Sequence, residues 1–413
     1  MKAFIAVILN MGIVRKPTIP EYWNRRDKTQ ATPWFRQMFS RNRFQLILKF
    51  FHVVDNLKIP GRQSQLYKPD LKFKPLLDFA NRMFQHYYTP SRNLSIDETL
   101  VATRGKTSML QYIPTKRAKF GVKFWVLADS LNGYVQKMTC YLGKRFEPAI
   151  VGLQGTRVVL DLLSNCNLLN KGYHVVVDGF FCSIDLAKRL LQVGTYVTGT
   201  LRANRPMPIT IKNARLDSGE TIYMRQGEIL ITAYRPANRA RAKPVRLLST
   251  AIAARDIHDR CPAIVHTYNH YMGGVDGADM LLSFYNGQRK TIKVWKKMAF
   301  NIIQRMALNS YVLYSQNTQE NPMSRLRYMQ AVVSGLSEEH LRERNQPPVV
   351  VRRERHRHQE LRLVAGGREK DCAVCSNRRM ARRRSRKECS VCLRGCHRVC
   401  WQNHVLSCKR HEE

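Results

Sequence analysis

The sequence predicts an α/β protein built around a mixed sheet, on three observations. Short runs rich in Val, Tyr and Phe read as strands over residues 122–128, 135–142, 173–177 and 196–201. Helical spacing between the later runs, over 156–163 and 184–192, makes strand and helix alternate. Apolar residues at i, i+3, i+4 and i+7 recur on both sides of this region, so helices flank it.

Residues 1–92 read as a helical region suited to DNA binding or dimerisation. Lys2 and the apolar run after it have the look of a short signal peptide. Asn10 interrupts that run, no small-residue cleavage site follows, and Arg15 and Lys16 close it, so a buried helix is expected instead. Ser40 can cap a helix that carries Phe44, Ile47, Leu48 and Phe51 on one face. Phe73, Leu77, Ala80, Phe84 and Tyr87 repeat the spacing, and Pro90 ends the region. Arg25, Arg26, Arg36, Arg41 and Arg43 decorate its outside.

The α/β core is expected over 93–205 and again over 263–286. Between them, 206–262 holds strand-like runs at 221–224, 229–233 and 245–250 and reads as a β-rich insertion. Residues 287–344 return to helix, with Met298, Ile302, Arg305, Met306 and Asn309 tracing its turns. Residues 345–371, rich in proline and arginine, read as a basic linker. Residues 372–413 form a Cys/His cluster.

The chain has 413 residues and is 44 % hydrophobic, enough for a substantial core. Its 70 basic residues against 30 acidic ones give a net charge of +40. A charge that large repels itself unless a polyanion is near, which makes nucleic acid the expected partner. No apolar run is long enough to cross a membrane, so no membrane partner is expected. Cys140, Cys166, Cys182 and Cys261 are scattered singly, and the other cysteines crowd into 372–413 among histidines. That usage describes a reducing compartment with a zinc site rather than a disulfide framework.

With so few acids, a carboxylate in an apolar setting stands out. Asp97 lies in the word LSIDETL at 94–100, Asp178 ends the run 173–177, and Asp276 follows Gly273, Gly274 and Val275, with Asp279 one helical turn later. Phosphoryl transfer by two Mg²⁺ (or Mn²⁺) ions needs such acids, because hard divalent ions prefer carboxylate oxygens on a rigid frame. An Asp at a strand end also caps turns, and by pattern alone Asp129 is not separable from the others.

Six words carry a resemblance: MGIVRKPTIPEYW at 11–23, LSIDETL at 94–100, YIPTKRAKFGVKFWVLADS at 112–130, VVVDGFFCSIDLAKRLL at 175–191, YNHYMGGVDGADM at 268–280 and QRKTIKVWKKMAFNIIQRMALNSYVLYS at 288–315. In order and spacing they resemble the transposase domain of the piggyBac family. The resemblance implies an RNase H-like core with a DDD metal triad of Asp97, Asp178 and Asp276, and Asp279 as a supporting acid. It further implies cut-and-paste chemistry on double-stranded DNA (transposon ends and a TTAA target) by a homodimer. Two positions depart from the family pattern: Gly179 stands where Asn is frequent, and Met280 where Gln is frequent. Family members usually carry a further region ahead of the helix that opens this sequence. A domesticated, catalytically silent DNA-binding derivative is the alternative.

Two further constellations point to DNA and zinc. Arg289, Lys290, Lys293, Lys296 and Lys297 surround Trp295. The cations suit phosphates, and a planar Trp can stack on an unpaired base. Tyr112, Lys116, Arg117, Lys119 and Lys123 make a second basic stretch. In the tail, Cys372 and Cys375, then Cys389 and Cys392, form two metal knuckles, followed by Cys396, His397, Cys400, His404 and Cys408. Thiolate and imidazole at these spacings favour tetrahedral Zn²⁺. The expected pair of cross-braced sites is Cys372, Cys375, His397 and Cys400 in one, and Cys389, Cys392, His404 and Cys408 in the other. Cys396 is the spare, or replaces His397. A protein-binding RING- or PHD-like module is the other reading. The arginine run between the knuckles, Arg378 to Lys387, favours DNA and reads as a nuclear localisation signal.

Overall fold

A computed structural model describes residues 1–345, apart from 115, 117, 148–151, 238–242, 254–256, 259–260, 290 and 319. In the tail it describes only four short strands.

The chain opens with α1 (Lys2–Ile13), α2 (Pro33–Met38), α3 (Arg41–Phe50) and α4 (Lys74–Tyr87). Ser40 caps α3 as its sequence position suggests, accepting the Arg43 N–H at 3.2 Å. Then follow β1 (Asn93–Ala102), β2 (Leu110–Tyr112), β3 (Phe120–Asp129), β4 (Val135–Cys140), α5 (Gln154–Asn165), β5 (His174–Val177), α6 (Ile184–Gln192) and β6 (Tyr196–Thr200). A short α7 (Ile209–Lys212) leads to β7 (Thr221–Gln226), β8 (Ile229–Tyr234) and β9 (Val245–Ser249). The hairpin strands β10 (Ile257–His258) and β11 (Cys261–Pro262) precede α8 (Ala263–Tyr271), α9 (Gly274–Phe284), α10 (Val294–Asn317) and α11 (Arg325–Asn345).

The central sheet is mixed, as expected. Its order is β2-β3-β1-β5-β6-β9-β8-β7, with β4 sharing the outer edge of β3 with β2. Only the β1–β5 and β5–β6 pairs are parallel. Strands β7 to β9 continue this sheet rather than standing apart as a module: β9 pairs antiparallel with β6, and Leu248 and Ile231 join the same core as Val175 and Val197.

Each face of the sheet buries its own core. On one face, Leu94, Ile96, Val175 and Val177 pack against Val159 and Leu163 of α5 and Leu186 and Leu190 of α6. On the other, Phe124 and Val126 of β3 pack against Leu77 and Phe84 of α4, Val275 of α9 and Met298 and Ile302 of α10. A third core joins α1, α2 and α3 to Phe300 of α10 and to Met329 and Val333 of α11. At about 25 cal/mol per Å² of apolar surface removed from water, this burial is the main force aligning the helices on the sheet.

A polar chain fixes the register of the parallel strands. His174 bonds Asn93 Oδ1 through Nδ1 (2.9 Å) and Thr198 Oγ1 through Nε2 (2.8 Å), and Thr198 bonds Ser249 at 2.8 Å. Burial pushes the His174 imidazole down to about 4, so the ring is neutral at pH 7 and bridges β1 to β6 across β5.

Residues Met1–Glu343 make one compact unit and Arg344–Glu413 a second. In the second, β12 (Leu361–Leu363) pairs with β15 (Lys387–Cys389), and β13 (Lys370–Asp371) with β14 (Arg384–Ser385), all antiparallel. The stretch expected as linker therefore contains two short strands. Among the described residues no helix is long and apolar enough to cross a membrane.

Candidate active site

The site is built where the parallel strands end. Ile96 of β1 lies beside Val177 of β5, so the next residue on each, Asp97 and Asp178, come side by side. Ile96 and Val177 point into the α5–α6 core, and by the alternation of a strand Ser95, Asp97 and Thr99 face the other way. That face receives α9. Gly274 sits so close to β1 that a Cβ would strike Ser95 Oγ and the Asp129 carbonyl, which is why only glycine fits. One end of α9 thus rests on Ser95. Further along, Asp279 accepts a hydrogen bond from Thr99 Oγ1. Asp276, between these two anchors, is brought to Asp97.

A lysine completes the group. Lys116, from the hairpin between β2 and β3, places Nζ 3.7 Å from Asp276 Oδ1 and 3.9 Å from Glu98 Oε1. It also donates to the Glu98 carbonyl at 3.3 Å. Burial alone would pull this ammonium down. The charges of Asp97, Glu98, Asp276 and Asp279 outweigh burial and hold it above its ordinary value.

Asp97 is the most perturbed acid. Desolvation, then the neighbouring Glu98 charge, push its carboxyl up to about 8, against the opposing pull of Lys116. Asp178 is raised by burial, opposed by the Phe180 N–H that donates to its Oδ1 at 2.9 Å. Arg202 approaches Asp178 Oδ2 at 3.8 Å, a half-exposed pair of small energetic weight. Gly179 belongs with this arrangement: a Cβ there would press on Arg202 Cγ and Thr200 Oγ1. The Asn-to-Gly departure thus makes room for the arginine. Tyr268 of α8 stands beside the acids, its hydroxyl raised by burial and by the Asp178 and Asp97 charges.

The remaining candidates divide by their contacts. Asp129 is fully buried and accepts from Tyr88 Oη, the Ser91 N–H, the Ser91 hydroxyl and the Leu131 N–H. It is a turn-forming acid and is spent. Asp279 is engaged by Arg305 Nη2 at 2.5 Å as well as by Thr99, so it anchors α9. Met280 is exposed.

The basic cluster ahead of and at the start of α10 also serves the fold. Arg289 donates to the Met11 and Lys16 carbonyls, both at 2.8 Å, and lies over the Tyr22 ring. Lys296 is buried and donates to the Leu48 and Lys49 carbonyls. Trp295 stacks on Phe51 with ring centroids 6.0 Å apart and packs against the second core. Lys297 donates to the Ala102 carbonyl at 3.2 Å, and Lys293 is exposed. Lys290 lies outside the described residues, as do the tail ligand candidates Cys372, Cys375, Cys392, His397, Cys400, His404 and Cys408; of Cys389 only the backbone, in β15, is described.

Lys116, Glu98, Arg202 and Arg305 were missed as site neighbours by sequence reasoning. Lys116 carried a signal as part of the basic stretch 112–123, and Arg305 as a charge within the apolar trace of α10. Among the described residues no three His, Cys, Asp or Glu side chains converge tightly enough to hold a metal ion. Lys116 instead supplies the positive charge. The carboxylates are of the kind a hard divalent cation takes, and burial, then the Glu98 charge, raises Asp97 against the pull of Lys116.

Comparison with known proteins agrees with this frame. Residues 1–311 match the family described as Transposase IS4. The human PiggyBac transposable element-derived protein 3 is 25 % identical over 365 residues, which cover 82 % of this chain and 58 % of that protein. The human PiggyBac transposable element-derived protein 2 is 23 % identical over 356 residues, covering 80 % and 58 %. A cryo-EM structure of a piggyBac transposase synaptic complex with hairpin DNA superposes with a TM-score of 0.77 at 26 % identity, covering 85 % of this chain and 73 % of that one. The mixed sheet is that of a transposase-related protein. Within that class, the chain belongs to the piggyBac-type transposase family. It spans 58 % of the length of each of these two human relatives.

Proposed function

We propose that this chain is a DNA transposase that cleaves and rejoins phosphodiester bonds on an RNase H-like core, with Asp97, Asp178 and Asp276 as the acids that hold Mg²⁺ (or Mn²⁺). One observation carries the reading: the Ile96–Val177 register sets Asp97 beside Asp178, while Asp276 shares Lys116 with the carboxylates of β1. The metal, when bound, would activate the attacking oxygen and stabilise the departing one. The chain's own groups prepare for it. Asp97, raised by burial and by Glu98, would have to give up its proton to hold the ion, and Lys116 would have to leave its place among the acids. Arg202 and Lys116 then lie where a phosphate would approach, and Tyr268 borders the site. The net charge of +40 supports attraction of double-stranded DNA, with transposon ends and a TTAA target as the substrate the family resemblance implies. That resemblance also supports a homodimer pairing two ends. The arginine run 378–387 supports a nuclear location, and the Cys/His spacing of the tail two Zn²⁺ ions in a DNA-binding module.

A second reading, a catalytically silent DNA-binding derivative, is favoured by the lysine standing among the acids. A strand-cleavage assay with Mg²⁺ and terminal-repeat DNA separates the two. Nicking by the native chain that is lost in Asp178→Asn is the expected result. Equal inactivity of both, with DNA binding retained, would establish the silent derivative.

A further inference from the structure

A cavity of about 340 Å³ lies where α1, α3 and the start of α10 meet the segment that joins α9 to α10. Its frame is tight. A Cβ at Gly12 would strike the Tyr285 carbonyl, and one at Gly287 the Ile8 carbonyl, so the backbone of α1 rests directly on the 285–287 segment. Ile8, Met11, Phe44, Leu48 and Phe300 give the cavity apolar walls, and all of them but Leu48 are buried. Two cations, Arg289 and Lys296, interrupt those walls. Gln45 of α3 also lines the cavity and is exposed, which puts it at the rim.

The positive charge here has no counterpart. Arg289 uses its two terminal nitrogens on the Lys16 and Met11 carbonyls, but its Nε is buried without a hydrogen-bond partner. Lys296 donates to the Leu48 and Lys49 carbonyls, and an ammonium has a third hydrogen to give. Carbonyls satisfy hydrogen bonds but leave both charges in place. Burial lowers both groups, and the next influence on each is another cation, Arg15 on Arg289 and Lys293 on Lys296. A partly buried charge gains most from an anion brought to it. The walls select which anion. Inorganic phosphate would leave them facing water, and a neutral hydrocarbon would leave the cations unpaired. Duplex DNA holds its phosphates on a rigid backbone and brings no apolar group to fill such a space. A small carboxylate with an apolar tail answers both features, and the volume falls within the about 300–1,000 Å³ of ligand pockets.

We propose that this cavity binds a small amphipathic carboxylate, with its head on Arg289 and Lys296 and its tail among Ile8, Met11, Phe44 and Phe300. The segment under it connects α9, which carries Asp276, to α10, so an occupant braces that connection. The test is calorimetric titration of the full chain with hexanoate, octanoate, decanoate, decanol and inorganic phosphate. Decanoate should bind at one site per chain, with affinity rising about fourfold for each CH₂ added along the series. Decanol should bind about tenfold more weakly than decanoate, and phosphate should not saturate. Leu48→Trp fills the cavity and should abolish binding of decanoate and decanol alike. Gln45→Glu adds a negative charge at the exposed rim without touching the core, and should weaken decanoate about threefold at low salt while sparing decanol. Melting temperatures show that each variant is folded; if Leu48→Trp is not, Gln45→Glu decides alone. Absence of saturable decanoate binding, decanol or phosphate binding as tight as decanoate, or a decanoate affinity that the folded variants leave unchanged overturns the proposal.

Discussion

Asp97 and Asp129 sit on paired strands of one sheet, yet their surroundings give them opposite roles. Asp129 accepts four hydrogen bonds in a sealed turn, so its charge is fully answered. The Asp97 carboxylate accepts the Glu98 N–H at 2.7 Å and otherwise faces acids and one lysine. Burial and like charge make its proton hard to remove, and a divalent ion must displace that proton. The sign follows. Below the folded value of about 8 the proton competes with the ion, so Mn²⁺ affinity should rise with pH and level off above it. The limiting slope is about tenfold per pH unit. Lys116→Met should tighten binding at fixed pH by removing the competing cation, and Asp97→Asn should abolish the pH dependence. Calorimetric Mn²⁺ titrations at several pH values check this, and a flat profile in the native chain would sink it.

At the scale of elements, α9 is set by two contacts and a pair of charges. Gly274 lets it touch β1, and Asp279 ties it to Thr99 and to Arg305 of α10, which is 1 % exposed. Removing Arg305 strands only the Asp279 carboxylate, which keeps 31 % exposure, so the cost falls below the about 3–5 kcal/mol of a fully buried pair. Arg305→Met should therefore lower the denaturation midpoint, and Asp279→Leu added to it should recover most of the loss. Equal stability of Arg305→Met and the native chain would show that the pair does not hold α9. Asp276 rides on this helix, so a loosened α9 would also misplace the third acid.

The whole molecule divides its tasks between two compact units, Met1–Glu343 and Arg344–Glu413. The acids and the sheet lie in the first. The zinc proposal belongs wholly to the second, whose 70 residues offer little apolar surface to hold a fold without metal. Metal analysis should find two zinc ions per chain. Chelation should erase the tail's structural signal in circular dichroism and leave the melting of the first unit in place, since binding energy and folding energy are the same quantity in such modules. A tail spectrum indifferent to chelation would remove the zinc claim.

Periodicity and side-chain chemistry determined the mixed α/β class and the helices on either side; they offered Asp97, Asp178 and Asp276 together with Asp129, and the family resemblance alone singled out the three. Those features are local: a β-branched run, an i, i+4 stripe or a Gly-Gly before an acid is legible within ten residues. What the tertiary structure alone decided were relations between distant segments. It set Asp97 against Asp178 through a parallel register, assigned Asp279 to Arg305, drew Lys116 among the acids and turned Trp295 inward while leaving Tyr112 and Phe120 exposed. It also joined β7 to β9 onto the central sheet. A charged or aromatic residue reads the same in sequence whether it meets solvent, a carbonyl or another ring. Only packing settles which, because the free energy of a charge depends on what surrounds it.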